Sequence, residues 1–378
     1  MSTPREFVQG LLSACIKAGA SDLHCSAGQP PHLRLDGELV PLSGYSAFTA
    51  DDMNRLALGL LNADALPSLK ETGSKDGSLS STEGVRFRFN LFQTQGLLAT
   101  AIRRLEERFR PLSELGLSES LYQLAELRDG LVIVTGATGS GKSTTLATLI
   151  DKVNRTRAAH IVTIEDPIEY VHKPIKSVVH QRQVGMDTPD FYSSLVASLR
   201  QDPDVILVGE IREQETIRTA IAASETGHLV FTTLHAGDCA GAVERLVSVF
   251  GAGEQDGIRR QLSLVLRAII AQHLLPLDGT SATNDKTPGW RRIAASEILM
   301  VTPAIANLIA TAKSAQIYSA METGTAAGMQ TLEQDLARLW SSGRISETAA
   351  MAIAKNVNIL KDRYAMVRRK TTSRLVSP

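Results

Sequence analysis

Two hydrophobic rhythms divide this chain. In "VRFRFNLFQ", Val85, Phe87, Phe89 and Leu91 alternate with Arg86, Arg88 and Asn90, the period-two signature of a strand with one buried and one polar face. "PHLRLDGELVPL" holds two shorter alternating runs around Asp36-Gly37, a hairpin signal. "FVQGLLSACIKAG" reads as a helix and "TGSKDGSLSSTEG" as a loop. Residues 1–105 are therefore expected to form a small α+β domain. Beyond a joining segment at 106–118 the pattern changes. Apolar runs of strand length ("LVIVTG", "HIVTIED", "VILVGE", "HLVFTTLH") recur between helical stretches. Continuous runs suggest strands covered on both faces, as in a parallel sheet, so 119–292 reads as an α/β core. Residues 293–378 read as mostly helical, with a basic tail, "RRKTTSR".

The longest apolar run, "LSLVLRAIIAQHLLPL", contains Arg267, Gln272 and His273. It is too short and too polar for a membrane span and reads as a buried helix. "LPLDGTSATNDKTPGW" after it reads as an exposed loop. "MSTPREFVQG" has no apolar core after its charge, so no signal peptide is expected, and the chain reads as cytoplasmic.

Composition narrows the function classes. The chain has 378 residues, enough for two ordinary domains, and 43% are hydrophobic against 21% charged, a globular rather than disordered balance. Its 40 basic and 40 acidic residues cancel, which argues against a broad electrostatic grip on nucleic acid. Cys15, Cys25 and Cys239 are scattered rather than spaced as metal ligands and read as reduced thiols.

The sharpest chemical signal is "GATGSGKST", which fits G-x-x-x-x-G-K-[ST]. It comprises Gly136, Ala137, Thr138, Gly139, Ser140, Gly141, Lys142, Ser143 and Thr144. An apolar strand precedes it and the helix-compatible "TTLATLIDKV" follows. Glycines let backbone N–H groups turn towards phosphate oxygens, and the helix N-terminus adds its positive end. Lys142 is expected to neutralise the β/γ-phosphates, and Ser143 to bind Mg²⁺.

"DVILVGEIRE" ends a strand in Gly209-Glu210, where many nucleotide hydrolases carry an Asp for magnesium. In an open parallel sheet ligands gather at the carboxyl ends of strands. Glu210 thus suits a general base or a positioner of water; the plainer alternative is an ion pair with Arg212 or Arg218. Glu165-Asp166-Pro167, followed by Glu169, ends another strand and is the candidate for the carboxylate that Gly209 lacks, directly or through water on Mg²⁺. His228 and His235 flank "LVFTTL", about 20–23 Å apart along a straight strand, too far to share one metal. A histidine at the strand's far end could sense the γ-phosphate or bridge to a neighbouring subunit; taken alone, each reads as a satisfied structural histidine.

"GASDLHCSAGQPPHLRLDGEL", "VTGATGSGKSTTLATLID", "VTIEDPIEYVH", "SLRQDPDVILVGEIREQETIRTAIAASETGHLVFTTLHA" and "AQIYSAMETGTAAGMQTLEQDLARL" resemble the secretion ATPases of type II secretion and type IV pili, nearest to their pilus-retraction branch. The resemblance runs from about residue 6 to about 345. It implies a PAS-like N-terminal domain joined to a RecA-like P-loop ATPase domain with a helical C-terminal part. It also implies a hexameric ring, with ATP and Mg²⁺ as ligands. The function it implies is pilus retraction, hence twitching motility, by a cytoplasmic protein held peripherally at an inner-membrane pilus platform protein. The alternatives are an accessory retraction ATPase partnering a paralogue, or an assembly or secretion ATPase. By the same resemblance Glu210 activates water and Glu165 lies near magnesium. His228 and His235 match the family's histidine box, and Arg103 and Arg104 reach the nucleotide from the other domain or subunit. Two departures stand out. The four-cysteine zinc module of assembly-type members is missing. Ala306 and Ala310 in "AIANLIA" stand where retraction-type members carry arginines.

Overall fold

The computed structural model describes residues 3–35, 38–61, 69, 72–105, 108–278 and 292–375. The chain divides into two compact units, the first ending at Arg108 and the second beginning at Phe109.

Among its described residues the first unit builds one sheet from β1 (Asp22–Ser26), β2 (His32–Leu35), β3 (Glu38–Pro41), β4 (Ser74–Ser80), β5 (Arg86–Thr94) and β6 (Leu97–Arg104). Their order is β3-β2-β1-β6-β5-β4, and every pairing is antiparallel. Helices Pro4–Lys17 and Ala50–Leu60 each start on a capping box, Thr3 with Glu6 and Thr49 with Asp52, which satisfies two otherwise orphaned N–H groups per helix. β2 and β3 pair as the hairpin signal predicts, Leu35 opposite Glu38. The tip, residues 36–37, lies outside the described residues. Phe87, Phe89 and Leu91 are buried against Leu11, Leu12 and Ile102, the face that their alternation predicts.

The expected loop "TGSKDGSLSSTEG" is instead largely strand: β4 is the edge of the sheet. Its polar, glycine-rich make-up misleads because an edge strand is only partly covered. Gly77 pairs with Phe89, and a Cβ at Gly77 would strike the Phe89 ring. The glycine leaves room for the aromatic ring to lie across the strand.

The second unit has a seven-stranded sheet in the order β13-β12-β7-β11-β10-β8-β9. Its strands are β7 (Gly130–Thr135), β8 (His160–Glu165), β9 (Val178–Gln183), β10 (Val205–Val208), β11 (Leu229–Leu234), β12 (Leu266–Pro276) and β13 (Arg292–Met300). All neighbours are parallel except β12 and β13. Every residue of β7, β10 and β11 is buried, as continuous apolar runs require in a sheet covered on both faces. The sequence order strand, helix, strand repeats through helices Lys142–Thr156, Phe191–Ser198, Gln214–Glu225 and Cys239–Ser248.

The buried-helix reading of "LSLVLRAIIAQHLLPL" is corrected. The helix Gln255–Val265 stops at Val265, and Leu266–Pro276 is β12. Between β7 and β13 it is apolar on both faces, and a short run of that kind has no periodicity to separate strand from helix. β13 likewise opens the stretch expected to be mostly helical; helices follow, ending with Val357–Leu375. The expected joining segment packs into the second unit from Phe109 onward: Phe109 stacks on His172 at 4.6 Å. The Arg110 carbonyl accepts the Thr148 hydroxyl. The expected loop after β12 falls mainly on residues 279–291, outside the described residues. Among the described residues no helix is long and apolar enough to cross a membrane.

Candidate active site

β7 runs into the phosphate-loop motif, and the helix Lys142–Thr156 leaves it with Gly141 at its N-cap in the left-handed region, φ 91°. A Cβ at Gly136 would collide with the Gln272 carbonyl and the Ser140 hydroxyl. One at Gly141 would come within 2.8 Å of Gln272 Nε2. Two motif glycines are therefore set by packing as well as by backbone angle.

Gln272, on β12, borders the phosphate-loop motif and is not among the residues expected from the sequence. It is 2% exposed. Its Nε2 donates to the Ser140 carbonyl at 2.8 Å, and its Oε1 accepts the Thr145 hydroxyl at 2.8 Å. One amide thus clamps the loop to the first turn of its helix. Its only sequence signal is a polar residue inside an apolar run. Gln272→Leu keeps much of the bulk but strands two buried polar groups, at roughly 1–3 kcal/mol each. We expect at least about a tenfold loss of nucleotide affinity, read by titration calorimetry; wild-type affinity would remove Gln272 from the site.

Lys142 Nζ donates to the carbonyls of Gly136 and Ala137, each at 2.9 Å. Burial lowers its pKa, while the nearby Glu210 and Glu169 carboxylates oppose that shift. The Thr144 hydroxyl meets the Tyr170 hydroxyl at 2.9 Å, which ties the loop to the segment after β8. Ser143 is exposed on the first turn of the helix.

Gly209 closes β10 where its N–H donates to the Ile164 carbonyl at 2.7 Å. A Cβ there would sit 3.2 Å from that oxygen and 3.4 Å from Glu165 Cα. A side chain there would be tight against β8, and the carboxylate stands one residue on, at Glu210. Glu210 accepts from Arg212 at 2.8 Å and lies 3.6 Å from His235 Nε2. The Arg212 pairing weighed from the sequence is present, but the arginine is 62% exposed, and such pairs are worth about 0–1 kcal/mol. It leaves the carboxylate available. Arg218 pairs with Glu254 instead.

Glu165 ends β8. Its Oε1 accepts the Thr163 hydroxyl at 2.7 Å and Gln181 Nε2 at 3.1 Å. Burial raises its pKa, against the lowering effect of those hydrogen bonds. His235 has its pKa lowered by burial and by the charges of Lys142 and Arg212, against the raising effect of Glu210.

The carboxyl ends of β7, β8, β10 and β11 thus gather the motif residues, Glu165, Glu210 and His235. His228 is not among them. It lies at the opposite end of β11, where Nδ1 meets the Ala223 carbonyl at 2.9 Å and the Thr226 hydroxyl at 3.2 Å, closing the end of the helix Gln214–Glu225. Arg103 and Arg104 lie on β6 of the first unit, where Arg103 Nε pairs with Asp22 at 2.7 Å. Among the described residues no cluster of three or more His, Cys, Asp or Glu could hold a metal by itself. A hydroxyl and scattered carboxylates fit Mg²⁺, a hard cation that keeps waters and shares phosphate oxygens.

A family model described as "Type II/IV secretion system protein" matches residues 4–346. The chain belongs to that family. It is similar to the type IV pilus retraction ATPase PilT of Pseudomonas aeruginosa, with 43% identity over 345 residues, 91% of this chain and 97% of the relative. The type IV pilus ATPase PilU of the same organism is 38% identical over 93% of this chain and 89% of its own length. The crystal structure of the pilus retraction motor PilT with bound ADP superposes with a TM-score of 0.86 at 40% identity, covering 94% of this chain and 98% of that one. Within this secretion family the fold is the α/β arrangement expected from the sequence.

Proposed function

We propose that this chain is an ATP-hydrolysing motor that powers type IV pilus retraction, and thereby twitching motility. The observation that carries the reading is the meeting of the phosphate loop, Glu210 and His235 at the carboxyl ends of the sheet's strands, in a chain similar over most of its length to a retraction ATPase. Phosphoryl transfer asks a protein mainly for positioning and charge. Gly136 to Thr144 cradle the phosphates, with Lys142 as their fixed cation. Ser143 and Glu165 would hold Mg²⁺, which when bound neutralises charge on the phosphoryl oxygens. Glu210 takes the proton of the attacking water, and His235, 3.6 Å away, positions the carboxylate.

In this reading the motor is a hexameric ring. A PAS-like domain over 1–105 brings Arg103 and Arg104 to a nucleotide held by the ATPase part, across a domain or subunit boundary. Hydrolysis releases contacts that hold such pairs closed, which turns chemistry into movement. The ring works in the cytoplasm, docked on an inner-membrane platform protein.

Deleting the gene is expected to leave cells with excess surface pili and no twitching. Bald cells would point to an assembly motor instead, and unchanged pili and motility would refute the reading. A second reading, an accessory retraction ATPase working with a paralogue, is favoured by Ala306 and Ala310. They leave the helix Pro303–Ala310 without a charged side chain. Under it, this chain as sole retraction ATPase restores twitching only after Ala306→Arg with Ala310→Arg.

A further inference from the structure

The loop from His235 to Asp238 leaves β11 and presents His235 to Glu210. On one flank the Thr135 hydroxyl, beside the phosphate loop, accepts the Ala236 N–H at 2.8 Å. On the other flank stands Lys355, from the C-terminal helical segment. Its Nζ lies 3.0 Å from Asp238 Oδ2 and 2.9 Å from Glu297 Oε2.

Both carboxylates hold the loop in turn. Asp238 Oδ1 accepts the Gly241 N–H at 2.6 Å and caps the helix Cys239–Ser248. Glu297, 3% exposed on β13, accepts the Cys239 N–H at 2.8 Å through its other oxygen. Lys355 is itself anchored. The next residue, Asn356, donates its N–H to Glu333 Oε1 at 3.1 Å, and Glu333 is fully buried. Asn356 Oδ1 accepts the N–H groups of Asn358 and Ile359 at the start of the last helix. A cation tied to a buried carboxylate on a fixed backbone is unlike a free surface pair.

We infer that Lys355 is a positioning residue for hydrolysis: through Asp238 and Glu297 it fixes the loop that holds His235 beside Glu210. The C-terminal helices are thereby coupled to the phosphate site. The inference rests on the hydrolytic reading above.

Steady-state ATPase assays on the full chain test it. Small misplacement of a site can cost up to ~10²-fold, so Lys355→Met is expected to lower kcat roughly 10–100-fold. KM for ATP should stay within about twofold, the pattern of an interaction made in the transition state. Lys355→Arg should recover most of the rate. In a His235→Ala background, Lys355→Met should have no further effect, because its route to the site is gone. Multiplying losses there would overturn the inference, as would wild-type turnover by Lys355→Met or an inert His235→Ala. Lys355→Met combined with Glu297→Gln removes the uncompensated buried charge and separates folding from function. With its melting temperature at the wild-type value it should keep the kcat defect, and full recovery of rate would overturn the inference. A wild-type chain that hydrolyses no ATP refutes the hydrolytic reading and this inference together. An active wild type with an unaffected Lys355→Met refutes this inference alone.

Discussion

Lys142→Ala abolishes nucleotide binding at ordinary concentrations. The side chain has two tasks, since its ammonium is the fixed cation of the phosphate loop and also bonds the carbonyls of Gly136 and Ala137. Losing two charge-assisted hydrogen bonds from the ammonium to the phosphates, at roughly 1.5–3 kcal/mol each, corresponds to about 10²–10⁴ in Kd. Because the ammonium also bonds two loop carbonyls, folding has to be measured beside binding. An unchanged circular-dichroism melt is therefore the control. Labelled ATP bound at near wild-type affinity would dismiss the assignment of this loop.

Glu210→Gln leaves ATP bound and almost unhydrolysed. The amide keeps the shape of the carboxylate and its contact with Arg212 is exposed and weak, so the fold is hardly disturbed. What is lost is the ability to take a proton, typically worth ~10²–10⁴ in rate. Single-turnover hydrolysis beside equilibrium binding separates the two steps. Should Glu210→Gln turn over normally while Glu165→Gln is dead, the roles of the two carboxylates are exchanged.

The parts of the molecule legible in the sequence are those dictated by local backbone chemistry. The phosphate-loop spacing is read directly because its glycines, lysine and hydroxyl act within one turn. The parallel sheet is read because β7, β10 and β11 are covered on both faces and carry unbroken apolar runs. What stays hidden depends on partners far away in sequence. β4 looks like a loop because its side chains are polar, and its strand character comes from pairing with β5. β12 looks helical because both its faces are buried. Gln272, being on β12, disappears with it. Gly209 is visible as an anomaly, yet its cause, the closeness of Ile164 and Glu165, appears only in three dimensions. His235 and His228 flank one strand, and the structure puts only His235, at its carboxyl end, beside Glu210.

The clamp made by Gln272 bears on how the protein is made. It reaches back 132 residues to Ser140, and β12 is the neighbour that completes one side of β7. A ribosome adds about 5–20 residues per second, so roughly 7–26 s of translation separate the emergence of the loop from that of its brace. During that interval the nascent chain displays the whole motif without the amide that ties Ser140 to Thr145. The phosphate grip is completed late, when most of the ATPase sheet is already outside the ribosome.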